Sequence, residues 1–364
     1  MEQPKGYEDQ GKTAEEFVCK LKKSICGLHQ SGKDWNEFVD HHFKALGLTQ
    51  SYSEPCVYYS SDLIVGLYVD DILGIGEDEK LIKFSKSLSK FIELKDLGNV
   101  SSFLSLNISR PSAESLRVDQ KHYAKKVLEE FRMDGAKSVV SPLPLNLNEE
   151  PCDETFDQTI YRKAIGSLLH LSNATRPDLS FAVCKLSQSC EDPRKTDWDG
   201  VKHTLRYLKG TSDAGLIYKR TGEPIQVTVD ADWGNDKLDR KSINGLVVNF
   251  AGAAVVWHAR KQTTVATSTM QAEFMAMHEG VKEVLWMKNF FEELGLEKFL
   301  GLEKFLSFPC PIFTDNQGAI SLAKNGCVSE RSKHFSVRLH HTKMKLKMVL
   351  YALNMLSPQI TLLI

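Results

Sequence analysis

From Gly222 onward the hydrophobic pattern changes its period, and this change limits the fold more than any other feature of the chain. Pro224 to Asp230, Ile243 to Phe250 and Ala253 to His258 alternate apolar and polar residues, the period-two signature of half-buried strands. A long helical run from Ser268 to about Leu294 follows. After it come a short apolar strand at Pro311 to Thr314 and a helix opening after Asp315. Three strands, a helix, a strand and a helix predict an α/β domain.

Three acids punctuate these elements. Asp230 ends a strand, Glu273 lies one turn into a helix and Asp315 ends another strand, and each has apolar neighbours: Val229, Phe274 and Phe313. Three carboxylates carried by three elements would, on converging, make an oxygen-rich site suited to Mg²⁺. Taken singly, each acid is more often a cap or a surface residue than a ligand, and spacing alone does not bring them together.

A second acidic feature lies earlier. The apolar run Leu63-Ile64-Val65-Gly66-Leu67 leads into Tyr68-Val69-Asp70-Asp71, and Ile72-Leu73-Gly74-Ile75-Gly76 follows directly, so the segment reads as strand, turn, strand. Asp is a common turn residue. Yet a two-residue hairpin prefers Asn-Gly or Asp-Gly, and adjacent like charges repel unless a cation sits between them. The pair is therefore a candidate metal site at a hairpin tip.

Around this hairpin the chain reads as α+β. A helix capped by Ser31 carries Trp35, Phe38, His42, Phe43 and Leu46 up to Gly47; a second carries Leu81, Phe84, Leu88 and Phe91; Ser102 to Ile108 reads as one strand and Gln120 to Met133 as a third helix. Residues 138–158, with Pro142, Pro144 and Pro151 among Glu149, Glu150, Asp153 and Glu154, hold too little apolar surface for a core and read as a linker. Ile160 to Ser172, Asp178 to Cys190 and Thr196 to Lys209 look helical, their apolar stripes serving packing. Gly295 to Leu300 is repeated as Gly301 to Leu306, an insertion that a loop absorbs better than a helix.

Composition excludes several classes. Lysine and arginine number 46 against 47 acids, so bulk charge does not mark a polyanion binder; the run from Lys324 to Lys347, seven basic residues against Glu330 alone, reads first as a solvated face. The eight cysteines form no Cys-x-x-Cys pair, which argues against a zinc site or a disulfide framework and for reduced thiols inside a cell. Neither an apolar span of membrane length nor a signal-peptide core is present.

The hairpin resembles the Tyr-X-Asp-Asp motif of reverse transcriptases. Cys19 to Ser24, Gly27-Leu28-His29-Gln30, Lys95-Asp96-Leu97-Gly98, Thr175-Arg176-Pro177-Asp178 and Leu205 to Thr211 occur in the order found in the Pol polyprotein of copia-type long-terminal-repeat retrotransposons. The later acids fall in motifs similar to that family's ribonuclease H domain: Asp230-Ala231-Asp232-Trp233, Ser268 to Phe274, and Asp315-Asn316-Gln317.

The resemblance implies a partial reverse-transcriptase palm and thumb (1–137), a linker (138–158), a helical connection (159–222), a ribonuclease H-like α/β domain with a mixed sheet (223–340) and an aberrant C-terminal tail (341–364). It assigns Asp70, Asp71, Asp230, Glu273 and Asp315 as catalytic metal ligands for Mg²⁺, with Mn²⁺ as a substitute, and leaves Asp232 outside the site. Gln30 and Tyr68 would line the template and nucleotide pocket, although His29 and Gly32 replace the usual Lys and Pro, and Lys20, Lys22 and Lys23 would touch backbone phosphates. The implied partners are an RNA–DNA hybrid, a template-primer, a deoxynucleoside triphosphate and other Pol and Gag products of the element, without a membrane. The implied location is cytoplasmic, in a virus-like particle, or nuclear. A third palm Asp and a last nuclease Asp of the family find no counterpart, and Phe335-Ser336 replaces Ile-Asp, so the expectation is impaired activity or a nucleic-acid-binding remnant without turnover.

Overall fold

The computed structural model describes residues 7, 19–22, 24–25, 27–144, 154–234, 236, 239–296, 310–325 and 353–355. The chain forms two compact units, Met1–Gly98 and Asn99–Ile364.

In the first unit, α1 (Ser31–Ala45) is followed by β1 (Thr49–Gln50), β2 (Val57–Tyr59), β3 (Leu63–Tyr68), β4 (Asp71–Gly76) and α2 (Asp78–Leu88). The strands pair antiparallel in the order β1-β2-β3-β4. Val39 and Phe43 on α1 and Leu88 on α2 are buried with Tyr58, Leu63, Val65 and Leu67, the Phe43 ring meeting Tyr58 edge-on at 4.8 Å. Two expectations shift. Gln30 rather than Ser31 occupies the cap position of α1, because the Ser31 hydroxyl donates backward to the Ile25 carbonyl at 2.6 Å. Helix α2 stops at Leu88, and Phe91 stacks on His42 at 4.3 Å instead of extending the helical stripe.

The second unit opens with β5 (Ser102–Phe103), β6 (Leu106–Ser112), β7 (Ser115–Asp119) and α3 (Lys121–Glu130). The single strand expected over 102–108 is instead a hairpin. Leu104 and Ser105 both take positive φ, 49° and 66°, as a tight two-residue turn demands. Pro111 is accommodated where the β6–β7 register shifts between Ser109 and Ser112, since proline cannot donate to a regular ladder.

Three helices follow, α4 (Gln158–Ala174), α5 (Ser180–Ser187) and α6 (Lys195–Gly210), packed around Tyr161, Leu168, Leu179, Leu186, Leu205 and Leu208. The Thr-Arg-Pro-Asp and Leu-Arg-Tyr motifs lock together here. Buried Arg176 grips both carboxylate oxygens of Asp178, at 3.0 and 2.8 Å, and donates to the Thr211 carbonyl at 2.9 Å, while the Tyr207 hydroxyl donates to Asp178 at 2.9 Å. Pairing satisfies charges that burial would otherwise penalise.

Strand β8 (Gly215–Lys219), absent from the helical reading of 159–222, pairs antiparallel with all of β7 to complete the sheet β5-β6-β7-β8. Residues on both sides of the expected linker thus belong to one unit. Part of that linker, 145–153, lies outside the described residues; on its flanks Thr204 donates to the Pro142 carbonyl at 2.9 Å and Phe156 stacks on Trp198 at 4.4 Å.

The remaining elements are β9 (Gln226–Asp232), β10 (Ile243–Phe250), β11 (Ala253–Lys261), α7 (Thr269–Leu294), β12 (Ile312–Thr314), α8 (Gln317–Asn325) and β13 (Leu353–Met355). They form the sheet β11-β10-β9-β12-β13. Strands β9 to β11 run antiparallel, and β12 lies parallel to β9 on its other side, the ribonuclease H-like order expected. Strand β13 pairs parallel with β12 within the segment expected to be an aberrant tail. Helix α7 buries Ala272, Phe274, Ala276, Met277, Val281 and Val284 against Val227, Val229, Leu246 and Ile312. Gly280 permits this approach: a Cβ there would come within 3.1–3.3 Å of Val229, Val227 and Leu246. Gly295, left-handed at φ 60°, ends α7. The hexapeptide repeat lies mostly outside the described residues, as does the basic run beyond Asn325. Among the described residues no helix is long and apolar enough to cross a membrane.

Candidate functional site

Each of the three later acids is placed by a device visible in its own motif. Asp230 faces Gly245 across the β9–β10 ladder, and the indole of Trp233, just past the strand, donates to the Ala266 carbonyl at 3.0 Å, tying β9 to the loop before α7. Ser268 caps α7 by accepting from the Gln271 amide at 3.2 Å, and the Gln271 side chain accepts from the Thr267 amide and hydroxyl at 2.8 and 2.7 Å. This fixes where the helix begins, so Glu273 falls one turn in, on the buried side. At the third position, Asn316 accepts from the Ala319 amide at 2.9 Å and so starts α8 directly after Asp315.

These devices converge. Carboxylate oxygens of Asp230, Glu273 and Asp315 all lie within 4.8 Å of one another, the only such group of three His, Cys, Asp or Glu side chains among the described residues. Glu273 is buried, Asp230 half-buried and Asp315 exposed; Asp232 stays outside the group. Burial, reinforced by the charges of Asp230 and Asp315, pushes the Glu273 carboxyl up to about 8. Asp230 is also raised, first by burial and then by the charge of Asp315. The Ala231 amide donates to both, at 2.8 Å to Asp230 and 3.2 Å to Glu273, and the Thr314 hydroxyl donates to Glu273 at 3.3 Å. Fully buried Thr314 was not a candidate from sequence, and its one signal is a hydroxyl in an apolar strand. Beside Asp230 opens a cleft of about 320 Å³ whose walls include Asp232, Asp178, Ser180 and Trp257.

At the hairpin the geometry is simpler. Tyr68 pairs with Asp71, leaving Val69 and Asp70 as a two-residue turn, and Val69 takes φ 51°. A β-branched residue with positive φ is strained by roughly 1–3 kcal/mol and persists only where its surroundings hold it. Trp35 supplies that hold, donating its indole N–H to the Val69 carbonyl at 2.7 Å. The bond also brings the start of α1, with exposed Gln30 at its cap, to the hairpin tip. Asp70 and Asp71 are exposed, as is Tyr68 at 56%. Lys20 and Lys22 are exposed; Lys23 lies outside the described residues.

Comparison with known proteins assigns the ancestry. Residues 1–144 match the family described as reverse transcriptase (RNA-dependent DNA polymerase). Over 355 residues, 93% of this chain, the sequence is 38% identical to the retrovirus-related Pol polyprotein from transposon TNT 1-94 of Nicotiana tabacum. The chain belongs to the Pol polyprotein family of copia-type retrotransposons. It spans about a quarter of that Pol polyprotein, 26% of its length. An uncharacterized mitochondrial protein of Arabidopsis thaliana is 35% identical over 224 residues, with 92% of it and 60% of this chain covered. Among solved structures, the ribonuclease H1 from Halobacterium salinarum matches at a TM-score of 0.27 and 10% identity, covering 38% of this chain and 90% of that one. This Pol chain carries the region that matches the reverse-transcriptase family, and the five-stranded sheet with its three acids lies beyond that match.

Proposed function

We propose that the second unit of this Pol chain is a divalent-metal-dependent ribonuclease that cuts the RNA strand of an RNA–DNA hybrid, with Asp230, Glu273 and Asp315 holding the metal. One observation carries the reading: three carboxylates from three elements meet within 4.8 Å, and the Ala231 amide and the Thr314 hydroxyl donate to Glu273 as neutral groups. An all-oxygen set whose members repel one another fits a hard cation such as Mg²⁺ or Mn²⁺. When bound, such a cation supplies Lewis-acid stabilisation of the charge that develops on phosphate oxygens. The chain's own part is positional. The Ala231 amide and Thr314 hydroxyl fix the Glu273 carboxylate, exposed Asp315 opens the group to solvent, and a cleft adjoins Asp230.

The hairpin is proposed as the metal-holding tip of a polymerase palm, with Asp70 and Asp71 as ligands, Gln30 and Tyr68 beside a template-primer and a deoxynucleoside triphosphate, and Lys20, Lys22 and Lys23 on backbone phosphates. Trp35 joins that set as the residue that holds the strained turn.

Magnesium-dependent cleavage of a hybrid by the native chain, compared with Asp315→Asn, tests the nuclease. Cleavage should vanish in the variant and in chelator; equal signals from both proteins overturn the assignment. For the hairpin, Mn²⁺ binding followed by paramagnetic broadening of Asp70 and Asp71 resonances should disappear in Asp70→Asn, and broadening that persists there removes the tip as a ligand.

A further inference from the structure

A cavity of about 410 Å³ lies at the other end of the ribonuclease H-like sheet, where three chain segments meet. The β6–β7 hairpin contributes Arg110 and Glu114, the end of β8 contributes Lys219 and Arg220, and the β10–β11 turn contributes Ala251. The Lys219 amide donates to the Ala251 carbonyl at 2.7 Å and the Tyr218 hydroxyl to the Ala254 carbonyl at 2.8 Å, so the walls are pinned by hydrogen bonds. Arg110, Lys219 and Arg220 are all exposed, and none has an ion-pair partner among the described residues, nor has Glu114. Three cations and one carboxylate leave this wall two charges positive in a protein whose whole formal charge is −1.

Like charges gathered without counter-charges oppose folding, and guanidinium groups offer the planar fork that matches phosphate oxygens. We propose that this cavity is a binding site for the backbone phosphates of a nucleic acid. It lies apart from the acids: Gly245, opposite Asp230, is separated by about 17 Å of β10, at roughly 3.4 Å per residue, from Phe250, the neighbour of Ala251 in the cavity wall. The inference borrows from the proposed function only the nature of the ligand, and its test requires no cleavage.

The experiment measures binding of the full chain to a fluorescent RNA–DNA hybrid in chelator, by anisotropy across a salt series. Arg110→Gln/Lys219→Gln/Arg220→Gln should bind at least tenfold more weakly at about 0.1 M salt, with the log–log salt slope smaller by about 0.9 per lost contact. The variant Lys125→Gln/Lys126→Gln, which removes two exposed charges from α3, should keep the native slope to within about one contact. Arg220→Gln alone, lowering the slope by about one, covers the case in which the triple variant fails to fold. An unchanged slope in Arg220→Gln and the triple variant, an equal loss in the α3 variant, or no hybrid binding by the native chain overturns the proposal. Displacement of the hybrid by millimolar inorganic phosphate at constant ionic strength, marking a free-phosphate pocket, or by polyglutamate at equal charge, marking an acidic-protein site, does so too. A native chain that cleaves hybrids while the triple variant binds them normally removes this site and leaves the nuclease reading intact.

Discussion

Two regions of the molecule gather carboxylates by opposite physical means. At the hairpin, Asp70 and Asp71 are neighbours in the chain, both are exposed, and what is unusual is the backbone beneath them, a valine bent to φ 51° and held by Trp35. At the sheet, Asp230, Glu273 and Asp315 come from three elements with ordinary backbone, and what is unusual is electrostatic: a buried glutamate pushed up to about 8 by burial and two acidic neighbours. One site stores steric strain and the other stores repulsion. Both spend folding free energy on their arrangement, the pattern expected where function and stability compete, and the repulsion at the sheet is of the kind a cation would relieve.

The sharpest way to break this contrast is to exchange the two sites' mutations. Asp230→Asn should lower hybrid cleavage by about three orders of magnitude, as loss of a metal ligand does, whereas Asp70→Asn should leave it unchanged. A matching loss in both proteins, measured on one labelled hybrid, would mean the sites are not independent.

Next in size is pH dependence without metal. The Glu273 carboxyl titrates near 4.5 when unfolded and near 8 when folded, so the folded protein keeps a proton that the unfolded chain releases. That contribution is fully present below about pH 4.5 and is lost as pH rises through 8, on the order of a few kcal/mol. In chelator, denaturant melts should show the second unit weakening over this window, Glu273→Gln should flatten the profile, and Mg²⁺ should restore stability at pH 8. A flat native profile would contradict the repulsion.

Smaller still are the backbone terms. Val69→Gly should stabilise the first unit by about 1 kcal/mol by releasing strain, and Ser105→Gly should do the same for the second; destabilisation in either would show the turn to be relaxed. Trp35→Phe should cost about 1 kcal/mol and speed amide exchange around Val69, with unchanged exchange counting against the indole as the turn's support.

How far the sequence carried these readings depended on whether the signal was local. The period-two runs of β9 to β11, the capped α7 and the apolar β3–β4 hairpin were legible because side-chain alternation and caps act within a few residues. The family motifs supplied the three acids, and convergence then required the parallel placement of β12 beside β9, which no spacing encodes. The Leu104-Ser105 turn was missed because neither residue favours positive φ; only tertiary pairing of β5 with β6 forces it. Strand β8 was missed because five residues after a helix look like a tail until a partner is named. Thr314 and Trp35 fall inside legible elements, but their roles are single hydrogen bonds across the fold, which no local pattern encodes.

That β7–β8 pairing has a consequence for how the protein comes apart. Strands nearly a hundred positions apart share one ladder, so a protease nick between them releases no free-standing piece: severed halves stay zipped until the whole ladder melts. A chain trimmed to begin at Gly215 would keep β8 without β7 and expose a bare β8 edge, ready to recruit another copy.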